Sequence, residues 1–431
     1  MGFKMFKNTV LFQISIAIIL VILGCKNARK DTVEFTELTI QNSELENKQQ
    51  DISVGANQVG EYLSILKDKN IAIVANQTSM MAVLQRRAVN NSTMGSQKVT
   101  QHLVDYLHNY GTINVKKIFS PEHGFRGKAD AGELVKDGRD SKTGLPIVSL
   151  HGKNKKPSPE QLKGIDMVVF DIQDVGVRFY TYISTLHHVM EACAESNIPL
   201  LVLDRPNPNG SYVDGPVLEK KHSSFLGMHP IPLVHGMTIG EYAQMINGEN
   251  WLKDGIKCDL DIIKVKNYTH NTPYNLPIRP SPNLPNTQSI LLYPSLGLFE
   301  GTNINAGRGT EFQFQRYGAP FLDKDYYTFS YTPVANFGAK YPKHQNTVCY
   351  GKDLSTINVD RRFTLKYIID AYNNTTDKTK FFITSGFTTH AGTEQLQKQI
   401  ESGLSENEIR ESWEPKLEAY KTMRQKYLIY N

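Results

Sequence analysis

Glu122 stands in Ser120-Pro121-Glu122-His123-Gly124-Phe125-Arg126-Gly127, a carboxyl inside a tight Pro/Gly turn with an aromatic ring three residues on. An apolar neighbour desolvates a carboxyl and raises its pKa, which is what a general acid requires. The plainer alternative is a loop salt bridge between Glu122 and Arg126. Asp171 and Asp174 bracket Gln173 just after the apolar run Met167-Val168-Val169-Phe170. Two carboxylates at one strand terminus suit a general base, sugar-hydroxyl acceptors or metal ligands, while Asp174 is alternatively the cap of a helix expected from about Val177. Arg178, Tyr180 and Tyr182 follow, types suited to holding a carboxylate and stacking on a sugar face, although the tyrosines also suit a core. Arg205 and Asn207 lie in the rigid turn Asp204-Arg205-Pro206-Asn207-Pro208. Glu300, Asn303 and Arg308 sit among glycines that let backbone approach a ligand closely. His123, His151 and His235 are possible metal ligands, yet no two have helical or hairpin ligand spacing, so neither a metal nor a cofactor is expected.

Four apolar, β-rich runs position these groups. They are Ile71 to Val74, Val115 to Phe119, Met167 to Phe170 and Leu200 to Leu203, ending respectively at Asn76-Gln77-Thr78, at the Glu122 turn, at Asp171 to Asp174 and at Asp204 to Pro208. Helical patterns near Val99 to Tyr110 and over Tyr180 to Glu195 alternate with them, the arrangement of a mostly parallel sheet covered by helices. In such sheets ligands bind beyond the carboxyl ends of the strands, so the four turns, with Asn76 among them, are expected to share one crevice. The Gly/Asp/Lys-rich stretch from Gly124 to Ser149 reads as an excursion over that crevice. Thr238 with Glu241 forms a capping-box signature, and Cys258 to Val265 is the last strand expected in this part. Beyond Lys266 a Pro-, Asn- and Tyr-rich texture begins, followed by helical patterns over Thr364 to Tyr372 and Thr393 to Tyr427. The expected fold class is α/β, a mostly parallel sheet covered by helices over 58–265 followed by a second domain over 266–431.

The 431 residues carry 48 basic and 43 acidic side chains, a formal charge of +5 that does not point to nucleic acid. No G-x-S-x-G, H-E-x-x-H, Walker or G-x-G-x-x-G signature is present. Lys4 and Lys7 precede an apolar run from Val10 to Gly24, too short for a comfortable span, and Ile22-Leu23-Gly24-Cys25 resembles a bacterial lipoprotein signal. Residues 1–24 are therefore expected to be a signal peptide, Cys25 the lipidated residue, and 25–57 a polar tether holding the body to a membrane in an extracytoplasmic space. An uncleaved anchor helix is the alternative. Cys193, Cys258 and Cys349 give no metal or disulfide pattern and read as buried thiols.

The segments around Glu122, Phe170-Asp171-Ile172-Gln173-Asp174-Val175-Gly176, Arg178 to Tyr182, Asp204 to Pro208, His235-Gly236-Met237-Thr238 and Glu300-Gly301-Thr302-Asn303 resemble the NamZ family of exo-acting β-N-acetylmuramidases, a resemblance that covers nearly everything from Val59 to the end. Asn305-Ala306 departs from the acidic residue common in the family before Gly-Arg-Gly. The resemblance implies a Rossmann-like domain over 58–265 and a smaller α+β C-terminal domain over 266–431 with the active site in the cleft between them, and release of N-acetylmuramic acid from the non-reducing ends of peptidoglycan-derived glycans, with Glu122 as the catalytic candidate. Glycoside cleavage usually needs a second carboxylate or the substrate's own acetamido group, for which Asp171 or Asp174 is expected. Arg178 or Arg205 is expected to pair with the lactyl carboxylate that distinguishes muramic acid from glucosamine. A metal-dependent amidase or deacetylase using His123, Asp171, Asp174 and His235, or a noncatalytic muropeptide-binding lipoprotein, are the competing readings.

Overall fold

The computed structural model describes residues 51–431 apart from 91–92, 128–132 and 134–136. The expected signal peptide, Cys25 and the tether up to residue 50 lie outside the described residues. Residues 52–57, assigned to the tether from their polarity, instead pack onto the folded body. Ser53 pairs with Lys266 through two backbone bonds, and Gly55 N–H donates to Asp204 O at 2.8 Å. A Cβ on Gly55 would come within 2.6 Å of both Asp204 N and Ile263 O, so only glycine admits this approach.

The four expected runs become Asn70–Ala75 (β1), Asn114–Ser120 (β4), Met167–Asp171 (β7) and Leu200–Leu203 (β8). Between the first two lies an antiparallel hairpin, Met80–Asn90 (β2) and Thr93–His102 (β3). The sheet is completed by Gly138–Arg139 (β5), Pro146–Ser149 (β6) and Leu260–Ile263 (β9), in the order β5-β6-β4-β1-β7-β8-β9. All its pairings are parallel except β5 with β6. β7 and β8 are buried at every position, the continuous apolar run of strands covered on both faces.

Helices Val59–Leu66 (α1), Leu103–His108 (α2), Pro159–Leu162 (α3), Tyr182–Glu195 (α4) and Ile239–Gly248 (α5) cover the sheet. α2 is shorter than the helix expected from Val99, because Val99 to His102 finish β3 and the His102 ring accepts the Val104 N–H to start the helix. α5 opens with the capping box of Thr238 and Glu241. α4 begins at Tyr182, not near Val177, so Arg178 precedes the helix and Asp174 does not cap it.

The remainder comprises Thr287–Leu296 (α6), a three-stranded sheet of Arg316–Ala319 (β10), Phe329–Tyr331 (β11) and Cys349–Asp353 (β12), and helices Lys366–Asn373 (α7), Thr384–Ala391 (α8), Gln395–Glu401 (α9) and Glu406–Arg424 (α10). It is not packed as an independent body. Arg410 on α10 pairs with Asp214 at 2.8 Å, the Tyr420 hydroxyl donates to His235 O, and the Tyr430 hydroxyl donates to Asp204 at 2.7 Å. One apolar cluster runs from Val168 on β7 to Tyr420 on α10. Residues 266–431 thus form a second part of the sequence that shares its core with the first. Cys193, Cys258 and Cys349 are buried and unpaired, with burial pushing the Cys258 thiol up to about 12. Among the described residues no helix is long and apolar enough to cross a membrane.

Candidate active site

The pocket that gathers the candidate chemistry opens beyond the carboxyl ends of β4 and β7. Its walls include Glu122 and His123 from the turn after β4, Thr181 and Tyr182 at the start of α4, Ser281 and Asn283 from the Pro-rich segment, Tyr293 on α6, Glu300 and Arg308 beyond it, and His390 on α8. It thus draws on both parts of the chain, as expected.

Glu122 Oε2 accepts the Thr181 hydroxyl proton at 2.9 Å. The loop salt bridge with Arg126 is not the arrangement found: Arg126 is committed to Asp140 at 2.8 Å and Asp105 at 3.1 Å. Phe125 does not supply the apolar wall either, since its ring meets His102 edge-on at 4.9 Å. That wall comes from Tyr180, Tyr182 and Tyr293, stacked edge to face, with Tyr180 and Tyr182 both donating to Pro280 O. Burial holds all three phenols protonated, their pKa values raised first by desolvation and then by neighbouring charge, including Glu122 for Tyr182 and Tyr293. His123 reaches the pocket from a left-handed backbone (φ 69°) that the flanking turn imposes.

Glu300 and Arg308 form an ion pair at 2.9 Å within the wall. Burial pushes the Glu300 carboxyl up, but the positive charges of Arg308 and Lys343 outweigh it, so its pKa is lowered and it stays ionised. Lys343 Nζ in turn binds the carbonyls of Phe299, Glu300 and Thr302, fixing this segment. His390 shares its Nδ1 with Gly386 O at 2.8 Å, and burial lowers its pKa so that the ring is neutral.

Several expected site residues serve the fold instead. Asp171 is fully buried and gives both oxygens to Arg205, at 2.6 and 2.9 Å, while Arg205 also donates to Met80 O. This pair holds β7, β8 and the hairpin together, and neither member reaches the pocket. Arg178 is also completely buried. Its guanidinium donates to four carbonyls, of Pro216, Ile231, His390 and Ala391, and with no carboxylate beside it burial pushes its pKa down to about 9. It stitches α8 to the first part and is not available to a lactyl group. Asp174 accepts the Gly176 N–H at 2.6 Å and lies 3.5 Å from His235, a turn-forming role behind the wall. Gln173 donates to Asp174 O and Pro206 O, and Asn207 donates to Met237 O. Asn76 folds its own turn by accepting from Thr78 N and Oγ1. His235 is buried, accepting the Met237 N–H, and Asn303 donates to Lys380 O. None of these side chains lines the pocket, and the amidase set of His123, Asp171, Asp174 and His235 is not spaced to share a cation. Among the described residues, the three side chains spaced to share a cation are His187, His188 and Glu191, none of which belongs to that set.

Thr181, Ser281, Asn283, Tyr293 and His390 line the pocket without having been singled out. Thr181 lay inside a motif already noted. The others come from segments with no recognisable spacing to the strand ends, so only the tertiary fold reveals them.

Known proteins match this arrangement along the whole described body. A peptidoglycan β-N-acetylmuramidase NamZ of Bacillus subtilis (strain 168) is 40% identical over 391 residues, covering 86% of this chain and 89% of that one. Two solved DUF1343 family proteins of Bacteroides fragilis NCTC 9343 superpose with TM-scores of 0.78 and 0.72. The first is 45% identical and covers 89% of this chain, the second 27% and 88%, and 99% of each of those chains is covered. Residues 71–288 match the family described as exo-β-N-acetylmuramidase NamZ, N-terminal, and residues 291–430 its C-terminal counterpart, so the two meet at α6, later than the change of texture at Lys266. The chain belongs to the exo-β-N-acetylmuramidase NamZ family across both of its parts.

Proposed function

We propose that this protein is a glycoside hydrolase, an exo-acting β-N-acetylmuramidase that removes the terminal non-reducing N-acetylmuramic acid from peptidoglycan-derived MurNAc-GlcNAc glycans during cell-wall turnover. The observation that carries this is Glu122 facing a tyrosine-walled pocket that also holds an ionised carboxylate and an accessible guanidinium. Glu122 is the general acid, protonating the glycosidic oxygen as the bond breaks, with the Thr181 hydroxyl orienting its carboxyl. With Asp171 bound to Arg205 and Asp174 outside the pocket lining, Glu300 takes the second place, its negative charge favouring the oxocarbenium-like transition state. Arg308 takes the lactyl carboxylate in place of Arg178 and Arg205.

The test is product analysis by mass spectrometry with the body from Ile52 onward and a MurNAc-β-1,4-GlcNAc disaccharide. Wild type is expected to release both monosaccharides, and Glu122→Gln to lose about 10² to 10⁴ of the rate. An intact disaccharide with bound wild type would sink the hydrolase reading. We further propose lipidation at Cys25 and an extracytoplasmic, membrane-held location, supported by the basic, apolar and Cys order of residues 4–25. Metabolic labelling with a radioactive fatty acid is expected to mark the full chain and not Cys25→Ala.

A further inference from the structure

The segment from Val334 to Lys343 displays aromatic rings to solvent while its backbone is bolted down on several sides. Phe337 is 55% and Tyr341 91% exposed, although large apolar groups in a pinned loop normally turn inward. Asn336 and Ala339 exchange two backbone hydrogen bonds of 3.1 Å, and Val334 N–H donates to Gly309 O at 2.8 Å. Gly338 O accepts from Asn283 Nδ2 at 2.7 Å and from Arg308 Nη2 at 3.3 Å, both residues of the pocket wall. Gly338 has φ 97°, and a Cβ there would lie 2.9 Å from Pro282 Cβ, so glycine lets this turn press against the wall. At the other side Lys340 pairs with Glu133 of the excursion after β4 at 2.7 Å, and Lys343 anchors the segment beneath. The loop is thus continuous with the pocket mouth and pre-ordered, so a ligand that stacks on it incurs no ordering cost.

We propose that Phe337 and Tyr341 form a sugar-stacking platform outside the pocket, which receives the leaving-group glycan beyond the first N-acetylglucosamine and makes the enzyme prefer chains over disaccharides. This rests on the muramidase reading. An exo enzyme keeps the terminal sugar inside its pocket, so whatever lies at the mouth meets the remainder of the chain. Aromatic faces suit the apolar faces of pyranose rings without reading substituents, which fits a repeating polymer. The platform supplies affinity and alters no bond.

The experiment compares kcat/KM for a MurNAc-GlcNAc disaccharide with that for the tetrasaccharide of two such repeats, using the full chain in detergent, wild type and the double variant Phe337→Ala/Tyr341→Ala. Wild type is expected to favour the tetrasaccharide by about tenfold, equivalent to about 1.4 kcal/mol, chiefly through KM, and the double variant to bring the ratio near one. A wild-type ratio near one, or a ratio that the double variant leaves unchanged, overturns the proposal. A second arm measures tetrasaccharide binding to Glu122→Gln with and without the aromatic pair. About a tenfold loss of affinity supports the platform even if no chain is cleaved, which would count against the muramidase reading alone, and equal affinity overturns it.

Discussion

Two carboxylate–guanidinium pairs occupy comparable positions beside the crevice and have opposite consequences. Asp171–Arg205 is sealed, its side chains 0% and 4% exposed, whereas Glu300–Arg308 leaves 24% and 23% of its side chains open in the pocket wall. The sealed pair is out of a ligand's reach: both carboxylate oxygens accept from one buried guanidinium, which also donates to backbone. The open pair is held from behind by Lys343 and Gly338, so its charges are fixed in place yet still reachable. A strand end nominates the first pair and a glycine-rich turn the second; burial separates the one a ligand can reach from the one it cannot.

Breaking the sealed pair should produce the largest change. Arg205→Met leaves Asp171 as an uncompensated buried charge and is expected to cost about 3–5 kcal/mol in urea unfolding. Pairing it with Asp171→Leu should recover much of that loss; if it does not, the pair is worth more than its desolvation cost.

Between the two in exposure sits the contact of His187 with Glu191, at 3.6 Å and 7% and 13% exposed. Burial and the adjacent His188 push the His187 pKa down to about 4. A base whose folded pKa lies below its unfolded value binds fewer protons when folded. Stability is therefore complete above about pH 6.5 and is lost as pH falls toward 4, by up to about 3 kcal/mol from this group. Urea midpoints across that window should fall more steeply for wild type than for His187→Gln, and equal slopes would show that this ring does not titrate as described.

At the open pair, Glu300→Gln should lower kcat by about 10- to 100-fold, about 1.4–2.7 kcal/mol, with a melting temperature close to wild type. A lost fold rather than lost turnover would make Glu300 a second Asp171. The smallest effect is expected from Arg308→Lys, about a tenfold rise in KM for the muramic substrate as a bidentate contact becomes a point charge. A substrate whose lactyl carboxylate is replaced by an amide should lose that discrimination between wild type and variant.

The apolar runs of β1, β4, β7 and β8 were legible because parallel strands buried on both faces must be continuously hydrophobic, and Thr238 with Glu241 announced α5 through local capping chemistry. The β2–β3 hairpin was not legible, since Gln85-Arg86-Arg87 interrupts any apolar alternation. Glu122 could be nominated because its turn is local. Arg178 could not be judged from its neighbours, for the carbonyls that engage it come from residues 38 to 213 positions away. His390 carries no signal at all until α8 is folded against the first part.

The chain's end has a consequence for synthesis and handling. Tyr430 donates to Asp204 across 226 positions, its hydroxyl accepts the Val265 N–H, and Asn431 O accepts the His270 N–H. The edge of the central sheet therefore cannot be finished until Tyr430 and Asn431 have left the ribosome. Such long-range closure makes folding slow and leaves a partially made chain exposed. A product cut before Tyr430 would present an open seam to proteases, and an affinity tag fused directly to Asn431 would sit at that seam, so a purification handle belongs at the other end of the body.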